Sequence, residues 1–105
     1  MKEIKAVIRP SKLAALREAL RRLPDFPGMT VSKAEGCTSS LRHGPAVNIK
    51  DELTDYTPKV RIEIVAPDEL SEAIFDCIVH VAQTGQVGDG LVWVTDVQQI
   101  GRAHV

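Results

Sequence analysis

Residues 59–67, "KVRIEIVAP", alternate cleanly: Val60, Ile62 and Ile64 share one side, and Lys59, Arg61 and Glu63 share the other. A period of two marks a strand with one buried face. The next stretch changes period. Leu70, Ala73, Ile74, Cys77, Ile78, Val81 and Ala82 recur at the three-and-four spacing of a packed helical stripe, with Asp68 placed to act as the N-cap. Earlier in the chain, residues 3–9 are apolar and β-branched enough for a strand that Pro10 ends, and Ser11 can cap the helix after it. Residues 12–22 set Leu13, Leu16 and Leu20, with Leu23 beyond, against Arg17, Glu18, Arg21 and Arg22, which predicts an amphipathic helix. The turn "PDFPG" leads into a second strand over 29–36, where Met29 and Val31 face opposite Thr30 and Ser32. "LVWVTDV" over 91–97 supplies a last strand, and "QQIGRAHV" is a short polar tail.

The element order is β-α-β-β-α-β. That order predicts an α+β, ferredoxin-like sandwich, with two helices on one face of an antiparallel four-stranded sheet. One segment fits neither period. "CTSSLRHGPAVNIKDELTDYTP" is polar, and Gly44 and Pro45 break any helix. A loop of roughly twenty residues between strands two and three is unusual in so small a domain, and such loops are functional or disordered.

The 105 residues suit a single domain over 1–105 with one core. Thirteen basic and fourteen acidic side chains leave a net charge of -1, so no general field draws the protein to nucleic acid or to an anionic membrane. Any anion site must be local. The start "MKEIKAVIRPSKL" carries Lys2, Glu3, Lys5 and Arg9 and does not read as a signal peptide, and no apolar run reaches the ~20 residues that span a bilayer. The expected compartment is the cytoplasm, with Cys37 and Cys77 as reduced thiols, since neither has a CxxC partner.

The chemistry concentrates in "AQTGQVGDGLVWV" over 82–94, where three glycines fall within six residues around a single acid. Successive backbone N–H groups in such a turn can converge on an anion, because no Cβ blocks the approach. The same turn can also simply reverse the chain between helix and strand. It matches neither the P-loop nor the dinucleotide fingerprint. His43, His80 and His104 lie in separate segments without HExxH or CxxC spacing, so a metal site would need assembly in space. His80 falls on the side of its helix away from Ile78 and Val81. Asp51, Glu52 and Asp55 read as groups that keep the loop solvated. An RNA-recognition domain shares the element order but stacks bases on paired strand aromatics; Phe26, Tyr56, Phe75 and Trp93 supply no such pair.

Taken in order and spacing, "RPSKLAALREAL", "GMTVSKAEG", "TPKVRIEIVAPDEL" and "AQTGQVGDGLVWVTDV" resemble the PII signal-transduction proteins, trimeric sensors of nitrogen and carbon state. The resemblance covers nearly the whole chain except the loop interior and the tail. It implies a regulator and not an enzyme, a homotrimer, and no bound cofactor. An adenine nucleotide (ATP, ADP or AMP) would sit in each cleft between neighbouring subunits, and the loop over 37–57 would reach target proteins. By the same match Thr30, Gly36, Cys37, Thr38, Lys59, Val65, Gly88, Asp89, Gly90 and Arg102 would line the nucleotide pocket. Lys59 would contact phosphate or effector as a point charge, and Arg102 would reach the phosphates from the tail as a bidentate donor. A trimer also suits the expectation that the helices use one sheet face and leave Ile, Val and Trp side chains on the other needing cover.

Departures from the family pattern narrow that expectation. Leu91 stands where the family usually places a lysine, and Ser39 and Ser40 stand where it carries an arginine and a glutamine. Glu52 matches the tyrosine that classical members present for uridylylation, and His104 matches the second arginine of the tail. The resemblance thus implies a divergent member with a weakened response to 2-oxoglutarate. Two other functions remain in view: a small nucleotide-hydrolysing enzyme using Arg42 and Asn48, and a metal-responsive trimer using His43 and Cys37.

Overall fold

Alternation decides which side of each strand meets the helices. In the computed structural model, which describes residues 1–37 and 56–103, β1 (Lys2–Ile8) buries Ile4, Ala6 and Ile8, and β3 (Thr57–Ala66) buries Val60, Ile62, Ile64 and Ala66 on the same side. The two strands pair antiparallel with Ile4 opposite Ile64 and Ala6 opposite Ile62, so these side chains meet directly across the ladder. β2 (Thr30–Gly36) flanks β3, and β4 (Gly90–Asp96) flanks β1, giving one antiparallel sheet in the order β2-β3-β1-β4. Helices α1 (Leu13–Arg21) and α2 (Asp68–Ala82) cover one face. Leu16 and Leu20 from α1, with Ile74, Ile78 and Ala82 from α2, close a single core with the strand residues. Each fully buried Ile or Leu contributes roughly 1.5–3 kcal/mol. This is the ferredoxin-like α+β arrangement that the element order predicts.

Several local expectations need correction. Ser11 caps nothing: Pro10–Lys12 form a 3-10 turn ahead of α1 without a side-chain cap. Asp68 is the first residue of α2 and not its N-cap, which falls at Pro67. Its charge joins that of Glu69 in the first turn, where the helix dipole favours anions. Ala73 is exposed, so the buried stripe of α2 is narrower than expected, and His80 is exposed as its position suggests. β3 starts two residues early and takes in Pro58, which sits at the strand's beginning where a missing N–H is tolerated. Val31 does share the helix side with its partner Ile62, yet it lies on an edge strand and stays 38% exposed.

The face away from the helices also differs from expectation. Among the described residues it carries no isoleucine: Ile4, Ile8, Ile62 and Ile64 all lie in the core. By the strand register it presents Val7, Val65, Leu91 and Trp93 among Glu3, Lys5, Lys59, Arg61 and Glu63, a mixed surface and not an apolar one. Cys37 and Cys77 are both free thiols, and partial burial pushes the Cys77 thiol up from its ordinary value. Among the described residues no helix is long and apolar enough to cross a membrane.

Candidate functional site

The glycine turn between α2 and β4 is organised around one carboxylate. After Ala82 the chain leaves the helix at Gln83, whose backbone becomes extended, and the loop folds back on Asp89. The Asp89 carboxylate accepts the backbone N–H of Thr84 at 2.5 Å, of Gly85 at 3.0 Å and of Gln86 at 3.4 Å, and it accepts the Thr84 hydroxyl as well. From the other side, Arg9 Nε donates to Asp89 Oδ1 at 3.2 Å. Thr84, through its hydroxyl and then its N–H, holds the Asp89 carboxyl well below the usual carboxylate range, and Arg9 and Gln86 add to the effect. The converging N–H groups that the sequence suggested for an external anion are therefore filled in part by the loop's own acid.

Two cations meet the same loop. Arg9 also donates from Nη2 to the Val87 carbonyl at 3.0 Å, and Lys59 Nζ donates to the Gly88 carbonyl at 2.5 Å. The register explains the convergence: Ile8 of β1 pairs with Val60 of β3, so Arg9 and Lys59 stand at neighbouring positions just beyond. Gly88, at φ +93°, leaves room for them. A Cβ there would come 3.3 Å from Arg9 Nη2. Gly36 packs on the Lys59 stem in the same way, its absent Cβ lying 3.3 Å from Lys59 Cγ, and the Thr57 hydroxyl donates to the Gly36 carbonyl at 3.4 Å.

The ten residues that the sequence assigns to a nucleotide pocket thus divide. Gly36, Cys37, Lys59, Gly88, Asp89 and Gly90 gather at the end of the sheet that holds the glycine loop. Thr30 and Val65 lie at the opposite end, lining one groove with Glu3, Met29 and Glu63, and Val65 and Arg102 line a second with Pro67 and Leu70. Lys59 and Val65 are six residues apart on one strand, which is about 20 Å. Thr38 lies outside the described residues, as do Ser39, Ser40, Arg42, His43, Asn48, Asp51, Glu52, Asp55 and His104. Leu91, the second residue of β4, lies on the helix-free face opposite Val7 and is 72% exposed. Among the described residues no three His, Cys, Asp or Glu side chains are grouped as a metal site would need.

Sequence reasoning does not single out Arg9 or Thr84. A signal for Arg9 exists: the strand period puts it on the side of Lys5 and Val7, and the turn holds one acid to balance two converging cations.

Comparison with known proteins bears on the whole chain. A family model described as nitrogen regulatory protein P-II matches residues 1–104. The chain is 40% identical over 102 residues to nitrogen regulatory protein P-II 1 of Escherichia coli K12, covering 97% of this chain and 90% of that protein. Nitrogen regulatory protein P-II of Rhizobium meliloti 1021 is 37% identical, and that of Klebsiella oxytoca 39% identical, over the same spans.

Proposed function

The chain belongs to the nitrogen regulatory protein P-II family, and we propose that it acts in the cytoplasm as a homotrimeric regulator that binds an adenine nucleotide in the cleft between neighbouring subunits. One observation carries this reading. The candidate binding residues sit at two opposite ends of one sheet, too far apart to touch one nucleotide. A head-to-tail ring brings the glycine-loop end of one subunit against the Thr30, Val65 and Arg102 end of the next. Lys59 and the Gly88 to Gly90 backbone then face the phosphates from one subunit, and Arg102 faces them from the other as a bidentate donor.

The output is the segment over 37–57, which joins β2 to β3 and would contact a target protein in nitrogen or carbon metabolism. Its first residue, Cys37, follows Gly36, which rests on the Lys59 stem. A ligand that draws the Lys59 ammonium away from the Gly88 carbonyl therefore acts at the base of that segment. Regulation requires that nucleotides bind two states of the segment unequally. Membership in a regulatory family stands against the hydrolytic alternative.

Calorimetric titration of the purified protein with ATP, ADP and AMP tests the proposal. Saturable binding of at least one of them, at one site per subunit, is expected. No heat and no competition with any of the three would overturn it.

A further inference from the structure

We infer that Arg9 is a positioning residue of the proposed nucleotide site, a latch that sets the glycine loop through Asp89 and does not itself bind phosphate. The inference rests on the nucleotide reading above and deepens it. Arg9 directly follows the last residue of β1 and precedes Pro10, so its backbone leaves the sheet at a defined point. Its guanidinium spans the loop crest, donating to the Val87 carbonyl on one side of Gly88 and to the Asp89 carboxylate on the other. Gly88 lies between these two contacts at φ +93°, and a Cβ there would press on the guanidinium, 3.3 Å from Arg9 Nη2.

Asp89 is the hub. One edge of its carboxylate faces Arg9, and its oxygens also take the N–H groups of Thr84, Gly85 and Gln86. Arg9 neutralises and orients the acid, the acid gathers three amides, and those amides fix the approach to Gly88 and Gly90. A planar guanidinium with donors on two edges can bridge a carbonyl and a carboxylate together, whereas an ammonium is a single point of charge. Lys59, which makes one contact to the Gly88 carbonyl, is the cation left to turn toward an incoming phosphate.

A latch and a phosphate ligand differ in what they do along the series AMP, ADP and ATP. Removing a ligand costs more as phosphates are added, and a lysine partly restores it. Removing a latch weakens all three by one common factor, and a lysine does not restore the span. Arg9→Met, Arg9→Lys and Asp89→Asn are to be titrated with each nucleotide, and amide hydrogen exchange at Thr84, Gly85 and Gln86 is to be read by NMR without ligand. The expected result is a uniform loss, on the order of tenfold, in Arg9→Met and Arg9→Lys alike, with faster exchange at the three amides in Arg9→Met and Asp89→Asn. A loss that grows from AMP to ATP and is rescued in Arg9→Lys would overturn the inference, as would unchanged exchange. If the parent protein binds none of the nucleotides, the proposed function fails, and the exchange measurement alone decides the latch.

Discussion

A Cβ placed on Gly90 would stand 1.9 Å from the carbonyl oxygen of Val7. Gly90 pairs with Ile8 at the first step of β4, at φ +126°, so β1 backbone occupies the space a side chain would need. The last glycine of the loop is therefore demanded by the sheet itself. Gly90→Ala should destabilise the fold by roughly 2 kcal/mol or more, lowering the melting temperature by about 8 °C or more. Thermal melts of variant and parent check this, and an unchanged midpoint would contradict the contact. Loss of nucleotide binding in Gly90→Val, by the same contact, says nothing about a ligand, and side chains such as Lys59 are the informative positions.

The Asp89 carboxylate defines the pH response of the loop. Its folded value lies below that of a free aspartate, so the stabilisation it confers is fully present above about pH 3.9 and is lost only as pH falls through the folded value. The Thr84, Gly85 and Gln86 amide chemical shifts should stay constant from pH 7 down to about pH 3, through the value near 3.9 at which a free aspartate titrates. A transition centred near that value would mean that the acid is free and the hydrogen bonds are not formed.

Leu91 bears on nucleotide preference. It is exposed near the start of β4, directly after Gly90 and beside Val7, and the resemblance read from the sequence sets Leu91 where a lysine is usual and Ser39 and Ser40 where an arginine and a glutamine are. A charge-assisted contact contributes about 1.5–3 kcal/mol. ATP should accordingly bind no more than about tenfold tighter than ADP, a gap of ~1.4 kcal/mol, and millimolar 2-oxoglutarate should leave ATP affinity unchanged. Leu91→Lys should widen the gap in favour of ATP. Calorimetry that finds 2-oxoglutarate strengthening ATP binding tenfold or more in the parent would contradict this.

The sheet and both helices were legible because their periods are strong: Val60, Ile62 and Ile64 against Lys59, Arg61 and Glu63 leave little choice of face. The element ends were less legible, because turn chemistry competes with period there: Pro58 enters β3, and α2 starts at Asp68 itself, one residue earlier than it would with Asp68 as its cap. The even period of β1 also puts Ile4 and Ile8 on the same side, which removes isoleucine from the open face. At the candidate site, the glycines and Lys59 stood out by type. The inward turn of Asp89 did not, because it depends on left-handed backbone at Gly85, Gly88 and Gly90 together. Nor did the Arg9 contact, which joins residues 80 positions apart and exists only once the strands are in register.

If each nucleotide site takes one end of the sheet from each of two subunits, two variants defective at opposite ends should complement one another. Lys59→Met disables the glycine-loop end, and Arg102→Ala disables the opposite end. Each homotrimer should bind ADP at least tenfold more weakly than the parent, as expected for loss of a contact of about 1.5–3 kcal/mol. Co-expressed in equal amounts, the two chains should form mixed rings in which about one quarter of the clefts join two intact ends. Calorimetry of the mixed protein should recover parent-like affinity at that fraction of sites. Parent-like binding in the wild type with no recovery in mixed trimers, or a wild-type protein that binds nucleotide as a monomer by light scattering, would contradict the account.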